Sequence, residues 1–187
     1  MELKPNMFKK ILPMPLTLIT TIDRQGIING APYGCVMPIL RPLDLIAIAS
    51  ALPRDTLKNI RETGEFVVNV MGEKDFRETI KCARNFPPEV NELDAVGIES
   101  LPGKVVKPPR VKNAIGWIEA RLDREVQGEN YSIIIGKVVY AEINDKWIRD
   151  DKLIQEPLIM LMSEFRKIGE KVAPQTEFID DLKNIKF

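Results

Sequence analysis

Apolar and polar positions alternate with a period of two through much of this chain, and a few short stretches switch to helical spacing. In residues 15–23, Leu16, Leu18, Thr20 and Ile22 alternate with Thr17, Ile19 and Thr21, which predicts a strand. Asp23-Arg24-Gln25-Gly26 then reads as a turn, with Gly26 free to take a positive φ. A second strand is expected over 27–37. Pro38 and Pro42 interrupt the chain before the apolar run 43–51, a buried strand by its composition. Pro53-Arg54-Asp55-Thr56 opens a short helix. Asp55 or Thr56 is expected to cap it, Leu57 and Ile60 share one face, and Gly64 suits its end.

The segment FVVNVM at 66–71 returns as a strand, and its Asn69 is expected to satisfy nearby backbone. Residues 73–85 have helical spacing, with Phe76, Ile80 and Ala83 on one side. Pro87 and Pro88 break that pattern, and 89–96 reads as another short helix. Further on, Ile118, Ala120 and Leu122 alternate with Glu119, Arg121 and Asp123, which predicts one dry and one wet face. Gln127-Gly128-Glu129-Asn130 makes a hairpin turn into a strand over 131–143. That strand is apolar on both faces at 133–135 and 138–139, as expected of a strand deep in a barrel or covered by another subunit. From about Glu164 the chain becomes a more polar tail with a faint helical pattern. Many strands with few short helices describe a mainly β fold, a small barrel with helical insertions in one domain over 1–187.

Composition narrows the chemistry. The 27 basic and 27 acidic side chains balance, which leaves no electrostatic footprint for nucleic acid. The apolar runs are too short or too interrupted to cross a bilayer, and the charged residues and Pro5 at the N-terminus do not make a signal peptide. Cys35 and Cys82 form no CxxC pair, so a cytoplasmic protein is expected. The chain has no histidine. Ser-His-Asp and Cys-His hydrolysis, His-ligated zinc and His acid–base catalysis are thereby closed, and two cysteines do not complete a thiolate zinc site. No metal site is expected. If the chain is an enzyme, a borrowed cofactor is expected to carry the hard chemistry.

Two stretches point to a ligand. From Ser50 to Ile60 a strand ends in a small-residue loop (Ser50, Ala51, Leu52), and a helix begins beside Arg54 and Thr56. Free N–H groups at a helix start favour an anion, Arg54 offers a fork for phosphate, and Thr56 and Ser50 offer hydroxyls. A plain capped surface helix has the same local appearance. Upstream, Asn29-Gly30-Ala31-Pro32-Tyr33-Gly34-Cys35 places small residues and a proline in a predicted strand, which lets a flat ligand approach the backbone. A β-bulge or an edge strand would read the same way.

Taken in order, PMPLTLITTID, NGAPYGCVMPI, LDLIAIAS, RDTLKNIRETGEFVVNV and YSIIIGKVVYAEI resemble the flavin reductase-like, FMN-binding split-barrel proteins. The resemblance runs through residues 13–143, with PLIMLMSEFRKIG as a further piece. It implies a six-stranded Greek-key split barrel that binds FMN at a homodimer interface. Asn29 and Ala31 would line the site, and the flavin ring would lie against Pro32, Tyr33, Gly34 and Cys35. Ser50, Ala51 and Leu52 would touch the ring or ribityl chain, Arg54 and Thr56 would hold the phosphate, and Asn59 would support the loop. Asp55 is expected to cap the helix, since a carboxylate beside a phosphate would repel it. Many members carry a histidine before the strand that here reads YSIIIGKV, where this chain has Asn130 and Tyr131. The implied activity is therefore open between two oxidoreductase-type roles. One is a flavoredoxin-like carrier fed by a protein electron donor, and the other an NAD(P)H-dependent flavin reductase. A non-catalytic module that stores FMN or regulates through it is the alternative.

Overall fold

The computed structural model describes residues 2–39 and 44–169. The strands in chain order are β1 (Met14–Pro15), β2 (Thr17–Ile22), β3 (Ile28–Tyr33), β4 (Val36–Ile39), β5 (Leu45–Ala51) and β6 (Glu65–Val70). After them come β7 (Ser100–Leu101), β8 (Arg110–Val111), β9 (Gly116–Gln127), β10 (Tyr131–Ile143), β11 (Ile148–Arg149), β12 (Lys152–Leu153), β13 (Leu158–Leu161) and β14 (Glu164–Lys167). Among the described residues three short α-helices are inserted: α1 (Asp55–Thr63), α2 (Phe76–Lys81) and α3 (Glu92–Val96).

Seven of the strands form an antiparallel sheet in the order β3-β2-β6-β9-β10-β5-β4. Its two edge strands, β3 and β4, are consecutive in the chain. The strand expected over 27–37 is thus one segment bent after Tyr33, with its first half paired to β2 and its second half to β5. That bend closes the sheet. Counted as one strand, it leaves the six of a split barrel. Pro38 lies within β4 opposite Ile46, at a sheet edge where its missing N–H is tolerated; Pro42 falls outside the described residues.

Alternation along the strands divides the core in two. Ile19, Ile48, Phe66, Val68, Ala120 and Ile134 point into one cluster together with Leu57 and Ile60 of α1, which plugs the barrel. Leu18, Val67 and Trp117 face the other way and pack with Met71, Cys82, Leu93, Ile98 and Val111. Strands β2 and β6 are dry on both faces because α2, α3 and the segments after them cover the outer one. Asn69 sits at full burial there. Its amide donates to Leu18 O (2.8 Å) and Thr20 Oγ1 (3.1 Å), and its carbonyl accepts from Val111 N (2.7 Å), so it satisfies neighbouring backbone as expected.

Four expectations change. Helix α1 ends at Gly64 (φ 74°) as predicted, but its N-cap is Arg54, and no side chain caps it. Helices α2 and α3 are shorter than their periodicity. Asp75, with φ 60°, starts α2 late, and the Asn91 side chain caps α3 by accepting from Leu93 N (3.1 Å). Glu119, expected on the wet face of β9, is fully buried: its carboxylate accepts from the backbone N–H of Lys104, Val105 and Val106 at 2.8–3.1 Å. The loop laid over β9 supplies those donors. Finally, Glu164–Lys167 is a strand paired to β13, which has its other edge on β1. Residues 170–187 fall outside the described residues. Among the described residues no helix is long and apolar enough to cross a membrane.

Candidate functional site

Closing the barrel through the bend between β3 and β4 brings β3 beside the end of β5 and the start of α1. A cavity of about 710 Å³ opens there, a size suited to an organic cofactor. Asn29, Ala31, Pro32, Tyr33, Gly34 and Cys35 form one wall, and Ser50 and Ala51 with Ala49 another. Arg54, Asp55, Thr56 and Lys58 lie at the helix start. The segment Cys82-Ala83-Arg84-Asn85-Phe86 after α2, together with Glu92 of α3, closes the remaining side.

Ten of the twelve residues singled out from the sequence therefore line one cavity. Leu52 and Asn59 do not. Leu52 packs onto the barrel core, while Asn59 faces a neighbouring cleft and donates to Thr21 Oγ1 at 3.1 Å, bracing α1 against β2. Asn29 and Thr56 are joined, with the Asn29 amide donating to Thr56 Oγ1 at 3.0 Å, and both are nearly fully buried. Tyr33 Oη lies 2.7 Å from Ser50 Oγ. Burial raises the Tyr33 phenol above its ordinary value, opposed by the hydroxyls of Ser50 and Thr56 and by the charge of Arg54.

Electrostatically the cavity is mixed. Arg54, Lys58 and Arg84 line it as cations, and Asp55 and Glu92 as acids. Arg54 is exposed and donates to Pro53 O at 3.1 Å, which leaves most of its fork available. The first N–H groups of α1 receive no side-chain cap and point, with the positive end of the helix dipole, towards the same end. Glu92 is 7% exposed, and its Oε2 accepts from Gly30 N at 2.8 Å. Burial, with the charge of Asp55 added, pushes its carboxyl up to about 7 against the pull of that N–H. Burial likewise pushes the Cys82 thiol up to about 12, so it is not a nucleophile near neutral pH. Cys35 is exposed.

These features fit an anionic, flat organic group: small residues for close approach, hydroxyls, and cations gathered about a helix start. Sequence reasoning missed Lys58, Cys82, Arg84, Asn85, Phe86 and Glu92. Lys58 could have been found, because it lies one helical turn after Arg54. The others come from segments whose local pattern carries no sign of a ligand. Among the described residues no group of His, Cys, Asp and Glu gathers at metal-ligand spacing.

The fold is shared with solved structures. Flavoredoxin from Methanosarcina acetivorans superposes with a TM-score of 0.82 at 19% identity, covering 97% of this chain and 98% of that one. Nitrilotriacetate monooxygenase component B from Bacillus cereus gives 0.81 at 24% identity, covering 93% and 98%. In sequence, a protein of Methanothermobacter thermautotrophicus is 43% identical over 141 residues, 73% of this chain and 66% of that relative, slightly under two thirds of its length. The family described as flavin reductase like domain matches residues 8–169, nearly all of the described chain and every wall of the cavity. The chain belongs to the flavin reductase-like family.

Proposed function

We propose that the protein is an FMN-binding redox protein, with FMN held in this cavity, that works as a flavoredoxin-like electron carrier. The observation that carries the reading is the gathering of Arg54, Lys58 and the uncapped start of α1 on one side of a cavity whose other wall is the small-residue run 31–35. The phosphate would lie at the helix start, held by Arg54, Lys58 and Thr56. The ring would lie against Pro32, Tyr33, Gly34 and Cys35, with Ser50 and Ala51 along its edge or the ribityl chain. When bound, FMN supplies hydride and single-electron transfer. The chain's own residues orient it, neutralise its phosphate and keep one wall apolar.

No side-chain acid or base is needed for that role, which agrees with a chain lacking histidine. Asn130 and Tyr131 stand where many relatives of this type hold a histidine, and this favours a protein electron donor over direct NAD(P)H oxidation. Exposed Cys35 and Arg54 leave the cavity reachable from solvent, which a reductase exchanging its flavin would also use. A homodimer is part of the reading. Ile133, Ile135, Val138 and Val139 of β10 are only half-buried within one chain, and Ile143 is 58% exposed.

An absorption spectrum of the dialysed protein, followed by anaerobic NADH and then NADPH, tests the proposal. Retained flavin bands that no nicotinamide bleaches support a carrier if a protein donor then reduces them, and a storage or regulatory module if nothing does. Rapid bleaching would replace the carrier with a reductase. Loss of all flavin, with no binding of added FMN, would refute the proposal. Sedimentation checks the dimer, and a monomer that retains FMN would remove it.

A further inference from the structure

Glu92 is a buried carboxyl on the cavity wall to which the reading above gives no part. It opens α3 and is fixed to β3 by the 2.8 Å bond from Gly30 N to its Oε2. The two elements are in direct contact, since a Cβ at Gly30 would stand 2.7 Å from Leu93 Cδ2. Burial and that bond hold the Glu92 carboxyl at the cavity wall.

The ionisable groups sharing its surroundings come from every neighbouring element. Asp55 and Lys58 belong to α1, with Arg54 just before it; Cys82 and Arg84 follow α2; Tyr33 ends β3; and Asp23 follows β2 in the adjoining cleft. On α3 itself, Asp94 is exposed and accepts from the Asn91 amide at 2.7 Å. The charge that acts on Glu92 is that of Asp55, of the same sign, and its carboxyl stands near pKa 7, raised first by burial. A phosphate entering among Arg54, Lys58 and Thr56 brings further negative charge to this neighbourhood. An ionised Glu92 opposes it, and a neutral one does not.

We propose that Glu92 makes capture of a phosphorylated flavin proton-linked, being ionised in the ligand-free protein at alkaline pH and protonated once the phosphate is bound. The inference rests on the reading that this cavity takes FMN. The carboxylate gains one proton from solvent, and no bond to the ligand forms. The free protein then binds FMN less well as pH rises through the titration of Glu92, while riboflavin, which lacks the phosphate, is largely indifferent.

The test uses the full chain and its Glu92→Gln variant, which keeps an acceptor for Gly30 N. FMN and riboflavin are titrated by flavin fluorescence at about pH 6 and about pH 8. The ratio of wild-type to variant FMN affinity should fall about tenfold between the two, and the riboflavin ratio should stay level. Taking the ratio removes the titration of the phosphate itself, whose second pKa is about 6. Calorimetry of the wild type alone, at about pH 8 in two buffers of different ionisation enthalpy, should show proton uptake with FMN and little with riboflavin. This keeps the proposal testable if the variant folds poorly. FMN binding with a level ratio, or without proton uptake, overturns the inference and leaves the FMN reading standing. If neither flavin binds at either pH, both fall.

Discussion

The Tyr33 hydroxyl and Ser50 Oγ stand 2.7 Å apart, tying the last residue of β3 to the penultimate residue of β5 at the cavity wall. The two strands are not hydrogen-bonded neighbours in the sheet order, so this contact locks the closure that forms the site. Tyr33→Phe removes it while keeping the ring. The expected loss is about 1 kcal/mol of stability by chemical denaturation. An unchanged midpoint would show that the closure does not depend on this bond.

Arg54 makes no ion pair among the described residues and bonds only the carbonyl of Pro53. Arg54→Ala should therefore leave stability nearly unchanged and weaken FMN about tenfold to a hundredfold, as expected for a charge-assisted bond. Riboflavin should change little. Lys58→Ala should act in the same direction and less strongly. Equal losses for both ligands would place the phosphate elsewhere.

Asn69 accepts from the buried backbone N–H of Val111, and Glu119 accepts from three backbone N–H groups, of which that of Val106 is buried. Asn69→Ala leaves Val111 N unpaired, and Glu119→Ala strips the carboxylate from Lys104, Val105 and Val106. Each substitution should cost about 2–4 kcal/mol and lower Tm by several degrees. Glu119→Ala should in addition raise amide exchange in the loop 104–106. A surface-like response at either position would contradict the hydrogen bonding described.

Glu92 also predicts how stability varies with pH without any ligand. Its carboxyl is raised from about 4.5 to about 7 by burial, so between those values the folded chain binds a proton that the unfolded chain has released. Stability from this group is fully present at low pH. It is lost as pH rises through that window, by up to about 3 kcal/mol. Glu92→Gln should remove that slope and be the more stable protein at about pH 8. Denaturant midpoints measured from about pH 5 to about pH 8 check it, and parallel curves for the two proteins would refute it.

Much of the fold was legible because it is written locally. The alternation in 15–23, the hairpin turn at 127–130 into the strand over 131–143, the turn at Asp23–Gly26 and the stop at Gly64 each depend on neighbours a few residues away, and each appears close to its expected place. The family was legible for a related reason. Its signature lies in contiguous runs, above all 54–70, where a helix start precedes a strand. The same runs place ten candidate residues on one cavity, because β3, β5 and the start of α1 contribute consecutive positions to it.

What the sequence left open depends on contacts between distant segments. Glu119 looked solvated because its own strand alternates, but a loop 13–15 residues away folds over it and supplies three donors. The break after Tyr33 is visible only when the two halves of that segment pair with opposite ends of the sheet. Glu92 reaches the cavity bonded to Gly30, 62 residues earlier, and the segment 82–86 lines the same cavity; no periodicity in either segment announces it. By itself the sequence determined the strand and turn pattern, the family, and two walls of the site with the helix start between them, since these follow from local backbone preference and spacing. Only the tertiary structure decided how the barrel closes, which charges share the cavity and which carboxyls are buried, because burial and charge proximity are properties of segments brought together by folding.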